Sequence, residues 1–306
     1  MFSSIRLPHI YIASFTIAGC GVYSFRRHLI EEALAETPEQ EPHVMFRGFR
    51  PTSLRVQNVE SLSHNTKRLR FEYPDQTWTS GLQLTSSVLV FCWPQRSWFP
   101  AIRPYTPVSS LNQRGFLDLV VKKYPHGKVS SHLHTLQPGD SLYFLGPLPG
   151  GYRWSAATAN EHSRVYLIAG GSGITPTYQL ARGILEDNPN ANTKVQVVFG
   201  ANTAQDLVLK KELDILQQRF ADRLQMHYLV SEAGPSTGEA DNKDVSYGAR
   251  VNTSRLRQFF GARREGDEKV FVCGPPGMEK ALVGGRTCGR GILEELGFQK
   301  DQVHVF

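Results

Sequence analysis

At 306 residues, 40% of them hydrophobic and 20% charged, the chain has the make-up of an ordinary globular protein with room for two domains, each with its own core. The 34 basic and 28 acidic residues give a net charge of +6, which favours an acidic protein surface or anionic lipid as a partner; with no basic run carrying interleaved aromatics, it argues against nucleic acid. Four scattered cysteines, Cys20, Cys92, Cys273 and Cys288, make neither a disulfide framework nor a zinc or iron–sulfur spacing, so no metal is expected and a redox function must pass its electrons to another protein or a diffusible acceptor.

The amino terminus is a separate element. Ile10 to Phe25 is uncharged and largely apolar, with Arg6 before it, Arg26 and Arg27 after it, and no acidic residue before Glu31. As a helix it would span about 24 Å at 1.5 Å per residue, short of a ~30 Å hydrocarbon core unless arginines snorkel or the membrane is thin. A transmembrane anchor within residues 1–30 is the main expectation; a cleaved basic presequence, or a lipoprotein box at Ile17-Ala18-Gly19-Cys20, are the other readings of the same residues. Residues 31–50, with Pro38 and Pro42, read as a tether.

Residues 51–155 read as short strands punctuated by turns: Leu54 to Ser61, Lys67 to Tyr73, Val88 to Trp93, Phe116 to Lys123 and Ser141 to Leu145, with one helical stretch near Lys128 to Leu136. That pattern predicts a small antiparallel β-barrel. Within it, Arg103-Pro104-Tyr105-Thr106-Pro107-Val108-Ser109 is held extended by its two prolines. Alternation sends Arg103, Tyr105 and Pro107 to one face and Pro104, Thr106 and Val108 to the other. A guanidinium suits a pyrophosphate, a tyrosine ring can lie against an isoalloxazine and hydroxyls can reach ring or ribitol atoms, so the segment can hold a flavin; it can equally be an edge strand and a turn. Downstream, Gly127-Lys128-Val129-Ser130 opens the helical stretch and could bind a diphosphate, although a glycine-lysine turn before a helix is common.

After a polar linker around Ala156 to Ser163 the period changes, and residues 156–306 form the second predicted domain. Strands at Val165 to Ala169, Lys194 to Gly200, Leu224 to Val230 and Lys269 to Cys273 alternate with helices at Thr177 to Glu186, Lys210 to Phe220, Thr253 to Phe260 and Gly289 to Leu296, while Glu232 to Asp244 reads as a polar loop. Continuous apolar strands alternating with helices indicate an α/β domain on a parallel sheet. Gly171-Ser172-Gly173-Ile174-Thr175-Pro176 follows the first strand and opens a helix, the context of a phosphate-cradling glycine loop, but ends in proline where the dehydrogenase fingerprint has glycine. Cys273-Gly274-Pro275-Pro276-Gly277-Met278 ends an apolar strand, where open α/β sheets bind ligands. A lone buried cysteine is more often packing than chemistry.

Taken in order, these segments and the terminal Phe306 resemble the NADH-cytochrome b5 reductases of the ferredoxin-NADP reductase superfamily, from about Pro51 to Phe306. The resemblance implies FAD on the barrel and NADH on the parallel-sheet domain. The flavin would be held by Arg103, Pro104, Tyr105, Thr106, Val108, Ser109, Val120, Lys122, Gly127, Lys128, Val129 and Ser130. Gly171, Gly173, Thr175 and Pro176 would take the NADH pyrophosphate, and Gly274, Pro275, Pro276 and Met278 the nicotinamide end, with Phe306 nearby. It further implies catalytic roles for Thr175, near both rings, and for Cys273, touching the nicotinamide. Relatives usually carry a third proline where this chain has Gly277, and an aspartate where it has Ser231; Glu232 next to it is the expected substitute on the adenosine ribose, favouring NADH over NADPH.

The implied function is hydride transfer from NADH to FAD, then single electrons to a separate, acidic, cytochrome b5-like haem protein. A ferredoxin or small-molecule acceptor, and a non-catalytic membrane-tethered paralogue, are the alternatives. Leu145-Gly146-Pro147-Leu148, Tyr152-Arg153-Trp154 and the stretch from Gly291 to Phe306 look most like the fungal mitochondrial members. That implies a single-pass protein of the mitochondrial outer membrane, or of the intermembrane space after processing, with the endoplasmic reticulum membrane as the second candidate.

Overall fold

The computed structural model describes residues 43–306 except 94–97, 153, 155–160, 188–191, 235–244, 262–266 and 286–288. The segment expected to anchor the chain, its tether up to Pro42, Cys288 and most of the polar linker and of the Glu232 to Asp244 loop therefore lie outside the described residues. Among the described residues no helix is long and apolar enough to cross a membrane.

The first half is a six-stranded antiparallel sheet. Its strands are β1 (Arg50–Ser63), β2 (Thr66–Glu72), β3 (Ser87–Cys92), β4 (Ala101–Tyr105), β5 (Phe116–Lys122) and β6 (Ser141–Leu148), in the spatial order β4-β3-β6-β1-β2-β5. Alternation builds it: Val88, Val90 and Cys92 of β3 point inward with Leu54, Val56, Leu69, Phe71, Leu117, Leu119 and Phe144 to form one core. β1 runs further at both ends than its sequence suggests, with a register shift between Val56 and Asn58 that bends it. The expected barrel is a half-barrel, because β4 and β5 are unpaired edges of the sheet. Helix α1 (Lys128–Leu133), a single short element, packs against β3, β4 and β5 and inserts Val129 and Leu133 into the core.

The second half carries a parallel sheet of order β10-β9-β8-β7-β11-β14. It comprises β7 (Arg164–Gly170), β8 (Lys194–Ala201), β9 (Leu224–Val230), β10 (Val245–Tyr247), β11 (Glu268–Cys273) and, after a two-stranded ribbon of β12 (Gly284–Gly285) and β13 (Gly289–Arg290), β14 (Val303–Val305). Helices α2 (Ile174–Glu186) and α3 (Lys210–Arg219) cover one face, over Val165, Leu167, Val197 and Phe199; α4 (Thr253–Phe260), α5 (Pro276–Val283) and α6 (Ile292–Glu295) cover the other, over Ile168, Val198, Val270 and Val272. The buried run of β7 explains why it reads as unbroken apolar sequence. The final helix is one turn rather than the eight residues expected.

Val108 and Val120 of the half-barrel belong to the same core as Ile174, Leu180 and Phe199 of the second half, so the two halves share apolar contact. Buried Gln179 of α2 ties them: its Oε1 accepts from the Thr85 amide (2.9 Å) and its Nε2 donates to the carbonyls of Ser86 (3.3 Å) and Pro107 (3.4 Å). Arg68 of β2 pairs with Glu212 of α3, and Lys122 of β5 with Asp206 at 2.7 Å. Buried amide and ion-pair groups satisfied across a seam fix its geometry, because separating them would strand polar atoms.

Burial pulls the imidazoles of His134, His162 and His304 below their ordinary 6.5. A depressed pKa in the fold means the neutral ring is favoured there, so stability is complete above 6.5 and declines as pH falls through the lowered values. A second decline is expected below about pH 4. Burial by itself raises the carboxyl of Asp206, but the hydrogen bond and charge of Lys122 prevail and hold it below its ordinary value. Differential scanning fluorimetry at constant ionic strength should show a melting temperature that drops from pH 7 to 5 and again below 4; a flat profile across the first window would contradict the histidine assignment.

Candidate functional site

The segment expected to hold a flavin lies on and just beyond edge strand β4, and Val120 and Lys122 lie on the opposite edge, β5, so both line the open seam of the half-barrel. Ala101 and Tyr105 pack on the core, and alternation puts Arg103 between them on the same side. The chain then crosses the seam: the Val108 amide donates to the Asp118 carbonyl (2.9 Å), and the Ser109 hydroxyl accepts from the Asp118 amide (3.1 Å). Asp118 is itself held by a bidentate Arg70, both bonds 2.8 Å. Val108 and Val120 form a buried apolar floor. Pro104 is exposed and Thr106 half-buried, and among the described residues the Thr106 hydroxyl has no partner.

Charge complements this floor. Arg103 donates only to its neighbour, the Ile102 carbonyl (2.8 Å), and among the described residues neither Arg103 nor Lys128 has a carboxylate partner. They flank the place where α1 meets β4, a pair of cations suited to a diphosphate. Two expected ligands are otherwise engaged. The Ser130 hydroxyl is buried, accepts from the Tyr124 amide (3.2 Å) and donates to the Gly127 carbonyl (3.2 Å), so it closes the turn before α1, and of the groups expected here the Lys128 side chain and the backbone of Gly127 and Val129 are the ones that could meet a diphosphate. The Lys122 ammonium is held by Asp206 and ties the halves together rather than reaching into the seam.

Across the seam lie the two loops at the carboxyl ends of β7 and β11. Gly171 and Gly173 form a 3-10 turn that leads into α2. Gly171 has φ +55° with open space where a side chain would stand, a concavity that admits a phosphate to the backbone. Gly173 is required for a different reason: a Cβ there would sit 2.1 Å from the Cys273 carbonyl oxygen. The side chain of Met278 and the ring of Pro275 fill the space over Gly170, and Met278 also covers Gly274. The two motifs are thus one packed unit, 100 residues apart in sequence, and Met278 fills the space between them. Pro276 is the first residue of α5, so the expected platform is Gly274-Pro275 followed directly by a helix. A Cβ added at Gly277 would meet nothing within 4 Å, so the missing third proline leaves the packing unchanged.

Thr175 is buried in the first turn of α2, donating to the Ser172 carbonyl (3.2 Å), and Pro176 is buried beside it. The Cys273 thiol is pushed up to about 12 by burial, aided by the charge of Glu279, so it stays protonated and can shape and contact a ring but not act as a nucleophile. Phe306 is fixed: its amide donates to the Val272 carbonyl (3.1 Å), and its ring packs on Phe271 and His304 against the shared core. Glu232 is exposed at the carboxyl end of β9, its amide donating to the Asn202 carbonyl (3.0 Å), on the same rim of the sheet as the glycine loop.

Three contributors go beyond the sequence motifs. Glu279 accepts from the Gly274 amide (3.0 Å) and clamps the platform; a carboxylate in the first turn of the helix after Cys-Gly-Pro-Pro-Gly-Met is the sequence signal for it. Tyr124 and Ser172 share a hydrogen bond (2.7 Å) from the loop after β5 to the glycine loop, and Asp206 meets Lys122; neither pairing has a local signature. A cavity of about 900 Å³ bordered by Lys194, Gln196, His227 and Arg255 opens at the amino-terminal ends of β7 to β9, the wrong end of the sheet for these loops.

Residues 53–152 match the family model of the oxidoreductase FAD-binding domain, and residues 167–283 that of the oxidoreductase NAD-binding domain. An NADH-cytochrome b5 reductase 2 of Emericella nidulans is 41% identical over 310 residues, covering 99% of this chain and 92% of the relative. Its counterpart from Aspergillus clavatus is 42% identical over 308 residues, covering 98% and 90%. Among solved structures, the cytochrome b5 reductase domain of Ulva prolifera nitrate reductase matches with a TM-score of 0.70 at 25% identity, over 87% of this chain and 100% of that one.

Proposed function

The chain belongs to the NADH-cytochrome b5 reductase family, and from that premise we propose that it carries electrons from NADH through FAD to a separate cytochrome b5-like haem protein. The observation that supports this best is the packing of the Gly170 to Gly173 loop onto Cys273 and Gly274, opposite the flavin-type edge strands of the half-barrel. When bound, FAD supplies hydride acceptance and the release of electrons singly. The protein's own part is placement: Arg103 and Lys128 neutralise a diphosphate, Tyr105, Val108 and Val120 support a flat ring, the Gly171 loop seats the second dinucleotide, and Thr175 and Cys273 bound the space between the rings. Phe306, in contact with that core, helps keep water out. Positioning of this kind, without an acid or base, is enough to account for large rate effects.

Absorbance spectroscopy tests the reading. The purified protein should show a bound flavin whose spectrum bleaches on anaerobic addition of NADH and recovers when oxidised cytochrome b5 is added. Protein that purifies without flavin would overturn it; bleaching followed by recovery with ferricyanide or ferredoxin but not with cytochrome b5 would move the acceptor to another class.

Glu232 sets nucleotide choice. Its carboxylate accepts the ribose hydroxyls and repels a 2′-phosphate. Glu232→Gln should raise the ratio of NADPH to NADH kcat/KM about 10-fold, a difference of about 1.4 kcal/mol; an unchanged ratio assigns the discrimination elsewhere.

The uncharged run Ile10 to Phe25 between arginines supports a single-pass anchor, and the resemblance of Leu145 to Leu148, Tyr152 to Trp154 and Gly291 to Phe306 to the fungal mitochondrial members is the ground for the mitochondrial outer membrane, or the intermembrane space after cleavage. Fractionation after carbonate extraction separates these sites from the endoplasmic reticulum and shows whether the segment is retained.

A further inference from the structure

The Gly274 amide has a stronger partner than it needs. Oε1 of Glu279, in the first turn of α5, accepts from it at 3.0 Å, and a neutral glutamine oxygen in the same place would satisfy that amide as well. A carboxylate brings a full charge in addition. Glu279 is half-buried, and among the described residues no lysine, arginine or histidine forms an ion pair with it. Lys280 is next in sequence and exposed, but residues one apart on a helix do not face each other. The amides that open α5 offset part of the charge, and the rest stands uncancelled. A hydrogen-bond clamp alone does not call for it.

The charge is felt on the platform itself, where it joins burial in pushing the Cys273 thiol up to about 12. Gly173 packs on Cys273 and Gly170 on Gly274, so the carboxylate is fixed relative to both loops of the site. On the function proposed above, on which this inference rests, that platform carries the nicotinamide end of NADH. Oxidation of NADH breaks its C4–H bond; the hydrogen leaves with the electron pair to the flavin, and the neutral dihydronicotinamide becomes a pyridinium cation. A fixed anion at the platform gains little from NADH, more from the transition state and most from NAD+.

We infer that Glu279 supplies the counter-charge for the positive charge that hydride transfer leaves on the nicotinamide, and that its bond to Gly274 is what holds the carboxylate in place. Glu279 touches no reacting atom; it acts through its field at the platform, as a positioned charge. The same charge holds the oxidised nucleotide more tightly than the reduced one, so it speeds the hydride step and slows the release of NAD+.

Two variants separate the charge from the bond. Glu279→Gln keeps an acceptor for Gly274 without the charge, whereas Glu279→Asp, one methylene shorter, keeps the charge and loosens the bond. Calorimetric titration of the flavin-loaded protein compares NAD+ with tetrahydro-NADH, whose ring is neutral and has no hydride to give. In Glu279→Gln the Kd for NAD+ should rise about 5-fold, the weight of one partly exposed ion pair, while that for tetrahydro-NADH stays as in wild type. Glu279→Asp should keep the wild-type ratio of the two. With no nucleotide present, the pH profile of Cys273 alkylation by iodoacetamide, followed on its peptide by mass spectrometry, should move to lower pH in Glu279→Gln and stay in place in Glu279→Asp. A wild-type ratio in Glu279→Gln, whether both affinities fall or neither does, overturns the counter-charge and leaves Glu279 a clamp. A preference lost equally in both variants overturns it too, and assigns the preference to the Gly274 bond. Wild-type protein that binds neither nucleotide overturns the proposed function along with it.

Discussion

Gly173→Ala is expected to keep its flavin and lose about 100-fold in the rate at which NADH reduces it. The reason is steric and lies in the backbone. An added Cβ at Gly173 would stand 2.1 Å from the Cys273 oxygen, 2.5 Å from its carbonyl carbon and 3.0 Å from the Gly274 nitrogen. None of these atoms belongs to a flexible side chain, so one loop must back away from the other by about 1 Å to restore ordinary contact. The displaced loop is the one proposed to lie beneath the nicotinamide end, held by the Glu279 carboxylate and by Met278. A shift of about 1 Å in a positioned reactant can cost 10²-fold in rate. The half-barrel residues are untouched, so flavin content and visible spectrum should match wild type. Stopped-flow bleaching at saturating NADH measures the effect, and Gly277→Ala is the control, since nothing lies within 4 Å of that position. Equal losses in both variants would mean that the loops do not work as one unit.

That contrast between Gly173 and Gly277 shows what the amino-acid sequence makes legible. Glycine loops after apolar strands are local patterns, and both loops stand where they are expected, at the ends of β7 and β11, because fully buried strands must read as continuous apolar runs. Why each glycine is needed is not legible, because the neighbour of Gly173 is Cys273. Strand content and alternation predict a closed barrel, since they do not say whether edges pair; the unpaired edges β4 and β5 turn out to border the seam. β14 escapes a sequence reading because three residues carry too little periodicity, and α5 because its opening Pro276-Gly277 resembles a turn. Resemblance puts Lys122 on a cofactor, whereas its partner Asp206 lies 84 residues away in a short turn without a pattern of its own.

Lys122→Met should therefore act on stability, lowering it by about 3 kcal/mol, because it removes the cation from a carboxylate whose side chain is only 5% exposed. Asp206→Asn should cost less, since the Lys122 side chain, 18% exposed, can turn its ammonium toward water. The double variant should recover most of the loss, as expected when the single change harms chiefly by stranding a buried charge. pH separates this from lost packing. In wild type the Asp206 carboxyl lies below its ordinary value, so the pair stabilises above about pH 4 and fades as pH falls through the lowered pKa. Without Lys122 the largest influence is burial, which raises that pKa, opposed only by the Asn65 hydrogen bond and the charge of His64; the carboxyl loses most of what favours its ionised form and is least costly once protonated. The deficit of Lys122→Met relative to wild type should accordingly narrow as pH falls from 7 to 4. Urea denaturation at both pH values, followed by release of flavin fluorescence, measures it. A variant of wild-type stability that purifies with less flavin would instead return Lys122 to the cofactor site, and a deficit that is the same at both pH values would make the loss one of packing.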